Sequence, residues 1–319
     1  MRTTRRDFGK LALAALPAAS LLAKADSKFG GVQIGTITYS FRALPGSAEE
    51  ILKYCVELGI SEVEMMSDPA EAYAGAPAGP GRGPGGPAGG RGRGRGEMTP
   101  EQQAAMKKAA DEKTKWRLSS SMDKYKALRR MYNDAGVNIY AFKLPPTPAM
   151  SDDEFEYIFQ VTHALGANNI TMELPTDAAF TKRVGDFGTK HQVYIGYHNH
   201  MQVNETSWDV ALEQSKYNSI NMDAGHFTEA INGSPLPFIK KHHDRITSMH
   251  LKDKKYAKDG GGNTEWGKGQ VPLKDILQLM KKDKYRFPGN IEFEYDVPAG
   301  STVIAEMAKC LRYCKDALV

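Results

Sequence analysis

Val193-Tyr194-Ile195-Gly196-Tyr197-His198-Asn199-His200 is an apolar run that ends abruptly in imidazole and amide groups. Val193 to Tyr197 reads as a buried strand, and the polar residues begin where that strand stops. The same change from strand to chemistry recurs along the chain. Asn169 to Leu174 carries Glu173 just before Pro175, and Ser219 to Met222 runs into Asp223-Ala224-Gly225-His226. Ile246 to His250 continues as Leu251-Lys252-Asp253, and Asn290 to Tyr295 contains Glu292-Phe293-Glu294.

Working outward, Val32 to Tyr39, Ser61 to Met66 and Val137 to Leu144 supply three earlier strands, for eight in all. Helical sequence follows each of them. One helix opens at Ser47-Ala48-Glu49-Glu50, which has capping-box spacing, and runs to Leu58. Others are predicted near 100–117, 121–135, 152–165, 207–216, 236–243, 273–282 and 301–316, with one more running to Lys190. Eight strands alternating with helices predict an α/β fold of the closed (β/α)8 type, the TIM barrel. An open doubly wound sheet is the runner-up. No Gly-x-Gly-x-x-Gly follows a strand and opens a helix, so a dinucleotide site is not supported. Residues 74–96 are rich in Gly, Pro, Ala and Arg without apolar periodicity, which predicts a flexible low-complexity loop.

Active sites of such barrels lie at the C-terminal ends of the strands. Four of the eight histidines, His198, His200, His226 and His250, fall at those ends together with Glu173, Asp223, Lys252 and Glu294. Carboxylates and imidazoles converging without thiolate make a site for a divalent ion such as Mn, Zn, Co or Mg. His198 and His200 are two apart on a strand, as are Glu292 and Glu294, so each pair can share a side. Taken singly, each residue has a plainer reading: Glu173 as a rim carboxylate, Asp223 as a helix cap, His250 as a core histidine, Lys252 as a solvated cation. Glu294 is harder to dismiss, because a carboxylate within an apolar strand needs a partner.

Tyr197-His198-Asn199-His200, Asp223-x-x-His226, Met249-His250-Leu251-Lys252-Asp253, Glu292-Phe293-Glu294-Tyr295 and the loop Lys268-Gly269-Gln270-Val271-Pro272 together resemble the xylose isomerase-like barrels, the sugar phosphate isomerases and epimerases. The resemblance runs from about residue 32 to 316 and leaves out the 74–96 insertion. It implies a metal held by an acidic residue of the fifth strand, by Asp223, by His250 and by Glu294. The chain departs from the pattern at the fifth strand, where His198 replaces a glutamate. His198 then either ligates the metal or replaces a base, and Glu173 on the neighbouring strand can supply the missing carboxylate.

The implied chemistry is isomerisation or epimerisation of a sugar or keto-sugar by proton transfer beside a carbonyl, through a metal-stabilised enediolate. Glu173, His198, Asp223, His250 and Glu294 are the expected ligands. His200 and His226 are the expected acid/base groups, with Glu173 also able to serve, and Lys252 an added charge near the developing oxyanion. A lyase or hydratase of 3-keto-glycosides would share the first step. A non-catalytic sugar-binding protein is the alternative of another class.

The N-terminus suggests where this chemistry takes place. Thr4-Arg5-Arg6-Asp7-Phe8-Gly9-Lys10, the apolar stretch Leu11 to Leu22 and the cleavage pattern Ala23-Lys24-Ala25 resemble a twin-arginine signal. Residues 1–25 are therefore expected to be a leader read by the twin-arginine export machinery, with residues 26–319 the exported, periplasmic barrel. The leader carries a net charge of +4, equal to that of the whole chain, so the remainder is near neutral. That argues against a nucleic-acid partner, which needs a basic footprint, and so against an endonuclease on this fold. With 41% hydrophobic and 25% charged residues in 319, the chain is an ordinary globular protein. Cys55, Cys310 and Cys314 are too few and uneven for a disulfide framework and read as structural thiols. Whether the barrel forms a homo-oligomer is left open.

Overall fold

A computed structural model describes residues 24–78 and 99–319. Residues 1–23 of the expected leader and residues 79–96 of the expected loop lie outside them.

The expected strands form a closed barrel. They are β1 (Val32–Ile37), β2 (Glu62–Met66), β3 (Asn138–Lys143), β4 (Asn169–Glu173), β5 (Tyr194–His198), β6 (Asn218–Asp223), β7 (Ile246–Leu251) and β8 (Gly289–Ile291). All eight pair in parallel with their sequence neighbours, and β1 pairs with both β2 and β8 to close the ring. A two-residue strand, Lys28–Phe29, folds back antiparallel on β1. The open-sheet alternative is excluded by the closure.

Eleven helices cover the described part of the ring: α1 (Ala48–Leu58), α2 (Ser67–Ala74), α3 (Pro100–Ser119), α4 (Asp123–Asp134), α5 (Asp152–Leu165), α6 (Ala178–His191), α7 (Asp209–Gln214), α8 (Ala224–Ile231), α9 (Leu236–His242), α10 (Leu273–Lys282) and α11 (Val303–Leu318). Their placement follows from periodicity. In α10, Leu273, Ile276, Leu277 and Met280 recur at helical spacing and are buried against the barrel. At α1, Ser47 Oγ accepts from the Glu50 amide at 3.2 Å, the first half of the expected capping box. Cys55, Cys310 and Cys314 are buried free thiols.

α3 is different. It buries none of its residues and is polar all round. It is held by charge together with Trp116, which packs edge-on against Tyr157: Arg117 makes two hydrogen bonds to Glu71 of α2, at 2.7 and 3.0 Å, and Lys113 lies 2.7 Å from the same carboxylate. Tyr157 of α5 also donates to Glu71. No described helix is long and apolar enough to cross a membrane.

The barrel interior is polar. Hydrogen bonds link strands that are not neighbours in the ring and therefore run across its inside. Thr171 of β4 and Asn221 of β6 donate to Glu64 of β2, and Asn290 of β8 donates to Tyr140 of β3.

Candidate metal and proton-transfer site

Glu64 is the hub of the site and was not among the residues expected from the sequence. It sits between buried Val63 and Met65 in β2, so the alternation of the strand turns it into the barrel. Its Oε1 accepts from Thr171, and its Oε2 from Tyr140, Asn221 and the His250 Nε2–H, the last at 2.8 Å. Burial alone would raise this carboxyl. The adjacent His250 reverses that and brings it down to about 2. The clue in the sequence was a carboxylate inside an apolar strand, the same reasoning that singled out Glu294.

His250 is held between two carboxylates. Its other nitrogen, Nδ1, lies 3.1 Å from Glu292 Oε2. Burial opposes a charge here, but Glu64 and Glu292 outweigh it and raise the imidazole to about 10. In this arrangement His250 is an imidazolium with both N–H groups engaged.

His198, the last residue of β5, behaves in the opposite way. Its Nδ1 is 2.8 Å from Asn221 Oδ1. Asn221 uses its amide NH2 on Glu64 and Ser248, so its oxygen is the acceptor and Nδ1 is the protonated nitrogen of His198. Nε2 is left with a free lone pair, 3.9 Å from Asp223 Oδ2. Burial and the charges of Lys143 and His250 hold this imidazole down at about 3, so it stays neutral.

Asp223 ends β6 and does two things. Its Oδ1 accepts from the His226 amide at 2.7 Å and so caps α8, and its Oδ2 faces the site. Burial raises the carboxyl to about 6 against the pull of Lys252. Lys252 extends into the same space, with Nζ 2.8 Å from Asp223 Oδ2, 2.8 Å from Glu292 Oε2 and 2.6 Å from Glu294 Oε2. The Lys252 ammonium is thus the partner that Asp223 Oδ2 meets inside the site.

The ligand atoms of His198, Asp223, His250 and Glu292 lie within 4.8 Å of one another, and all four residues are buried. Here the structure departs from the ligand set carried over from the resemblance: Glu292, not Glu294, completes the group. Glu292 still pairs its amide with Leu251 of β7 and is buried, whereas Glu294, two residues on, is more exposed and so nearer the mouth, with 20% of its side chain accessible against 8%. Glu173 is also outside this group. It forms a second, shallower cluster with His198 and His200.

In that second cluster His200 Nδ1 is 3.0 Å from Glu173 Oε2, and Lys143 of β3 is 3.8 Å from Glu173 Oε1. Burial would raise the Glu173 carboxyl, but His200 and Lys143 bring it to about 2. The His200 ring packs edge-on against those of His198 and His226. His226 Nδ1 is buried without a partner, and burial with the charges of Lys252 and Lys254 keeps its imidazole neutral.

This donor set fits a divalent ion once two contacts are given up. It combines two imidazoles with two carboxylates: His198 has a free lone pair on Nε2, while His250 would have to lose its Nδ1 proton and Asp223 Oδ2 its contact with Lys252, with Glu64 backing His250 as an outer carboxylate.

No protein-family model matches the sequence, and no curated protein matches it. Solved structures do. A xylose isomerase domain protein from Planctomyces limnophilus superposes with a TM-score of 0.57 at 13% identity, covering 92% of this chain and 98% of its own. The chain has the fold of the xylose isomerase-like barrels. Among the same neighbours, a protein described as the probable 3-DHS dehydratase AsbF from Bacillus anthracis gives a TM-score of 0.60 at 14% identity, over 88% of this chain and 98% of that one. The 3-keto-D-glucoside 4-epimerase YcjR from E. coli gives 0.55 at 11% identity, over 89% and 100%. At these identities the likeness speaks for the barrel and leaves the chemistry to the site.

Proposed function

We propose that this chain is a divalent-metal-dependent enzyme that moves a proton beside the carbonyl of a sugar or keto-sugar, as an isomerase or epimerase. The observation that carries it is the buried nitrogen-and-oxygen group at the C-terminal mouth of the barrel, set directly against a carboxylate–imidazole pair. His198, Asp223, His250 and Glu292 would hold the ion, with Glu64 fixing the ring of His250. When bound, such an ion supplies the Lewis acidity that makes a proton beside a carbonyl removable.

The rest of the work falls to side chains. Glu173 holds Nδ1 of His200, so Nε2 of His200 is the atom that takes the proton or returns it. His226, neutral with an unpartnered Nδ1 and in ring contact with His200, would serve as the neighbouring acid/base group. Lys252 and Glu294 at the mouth orient the substrate hydroxyls, the lysine adding positive charge where an oxyanion develops. Likeness to a 3-keto-D-glucoside epimerase supports a keto-sugar substrate.

A second reading is elimination rather than epimerisation. The imidazole of His198 stands where the related pattern has a glutamate, and a dehydratase is among the fold neighbours. Incubation in D2O with Mg2+ or Zn2+, a panel of ketoses and 3-keto-glycosides, and mass spectrometry of the products separates the two. Deuterium entering beside the carbonyl of an intact skeleton is expected. Release of an aglycone or an unsaturated keto-sugar would replace the leading reading with the second. Binding without turnover would leave a sugar-binding protein.

We also propose that the chain is exported through the twin-arginine route. Replacing Arg5 and Arg6 with lysine should hold the protein in the cytoplasmic fraction. Unchanged distribution would end that proposal.

A further inference from the structure

The ammonium of Lys252 occupies the oxygens that a divalent ion would need. Two of its three partners, Asp223 Oδ2 and Glu292 Oε2, belong to residues of the four-membered ligand group, and both lie at 2.8 Å. A metal ion binds carboxylate oxygen at about 2.0–2.2 Å. It cannot share these two atoms with a buried ammonium at contact distance without strong repulsion. The third partner, Glu294, lies outside the ligand group at 2.6 Å and nearer the mouth. The stem of Lys252 runs through a slot beside Gly225, where a Cβ would come within 2.5 Å of Lys252 Cγ.

We propose that Lys252 and the divalent ion exchange with each other. In the metal-free protein Lys252 is the counter-cation that keeps Asp223, Glu292 and Glu294 together. Metal entry moves Nζ off Asp223 and Glu292 and leaves it on Glu294, which presents the charge to the substrate. The lysine thereby sets metal affinity and keeps the metal-free barrel folded. This rests on the metal-dependent reading above.

The test is a calorimetric titration of the chelator-stripped full chain with Mn2+ and with Zn2+. Lys252→Met should bind both ions tighter than the wild type by roughly tenfold or more, since a unit charge in contact with two buried carboxylates is removed. Glu294→Gln removes the site to which the lysine retreats. It should weaken binding in the wild-type background and have little effect beside Lys252→Met. That background dependence separates exchange from a general effect of charge. If Lys252→Met does not fold when stripped, it is purified in Mn2+ and its affinity read by chelator competition. Equal or weaker binding by Lys252→Met, or the same Glu294→Gln effect in both backgrounds, would overturn the exchange while leaving the metal site standing. No binding by either wild type or Lys252→Met would overturn both.

Discussion

Each nitrogen and oxygen of the site is either engaged or free, and that allocation decides its chemistry. His198 and His250 are the same residue type a short distance apart, with ring centroids separated by 4.8 Å, yet one is neutral and the other charged. The difference lies in the partner: an amide oxygen for His198, two carboxylates for His250. Asp223, His198 and His250 could be read from the sequence because they stand where strands end. Glu64 could not be paired from the sequence, because its partner is 186 residues away and only barrel closure brings them together. The Glu64–His250 pair gives a pH prediction. Glu64 falls from 4.5 to about 2 in the fold, so its contribution is present above pH 4.5 and lost as the pH falls through about 2. His250 rises from 6.5 to about 10, so its contribution is full below pH 6.5 and lost as the pH rises through about 10. The pair therefore stabilises the chelator-treated protein most between pH 4.5 and 6.5. Glu64→Gln should cost about 3–5 kcal/mol in that window, as breaking a buried ion pair does. Urea denaturation across pH 3–10 measures it, and a variant as stable as the wild type at pH 5.5 would remove the pair from the account.

Among the elements, α8 shows best how local structure aims the site. The helix begins immediately after β6, so one aspartate both caps it and faces the ligand group. The sequence allowed a cap or a ligand for Asp223 as rival readings; the structure shows the cap, made by Oδ1, and leaves Oδ2 turned toward the candidate group. Gly225, in the first turn of α8, is required by its neighbour: a Cβ there would lie 2.5 Å from Lys252 Cγ and 2.9 Å from the Lys252 carbonyl oxygen. In an unencumbered helix, Gly→Ala would stabilise by about 1 kcal/mol. Here overpacking, typically about 1–3 kcal/mol, outweighs that gain. Gly225→Ala should therefore lower both stability and activity. A more stable, fully active variant would show that the slot yields freely. In the loop through Lys268–Pro272 the glycine is again required on steric grounds. Asp253 accepts from the amides of Gly267, Gly269 and Val271, and a Cβ on Gly269 would collide with that carboxylate. The end of β8 was less legible. Glu292 and Glu294 share an alternation, and no periodicity tells where a strand leaves its ladder.

For the molecule as a whole, the eight strands were readable to within a residue or two at most ends, because each apolar run stops at a polar cluster. The polar interior was not readable, since hydrogen bonds across a barrel leave no pattern along a chain. The Glu71 anchor between α2 and α3 predicts that the intervening segment is not needed for folding. Replacing residues 79–96 with a short Gly-Ser linker should change stability by less than about 1 kcal/mol, because loop-closure entropy varies slowly with length. A larger loss in chemical denaturation would show that the segment packs on the barrel. The hydrogen bonds that cross the interior carry a further meaning for how such a protein can change. Aliphatic cores tolerate exchange among residues of similar volume. Here the space is filled by donors and acceptors that each serve a particular neighbour, and several of those neighbours are the site itself. Selection for folding and selection for whatever the site does act on the same side chains, so Tyr140, Asn221 and Ser248 are free to drift only as a set.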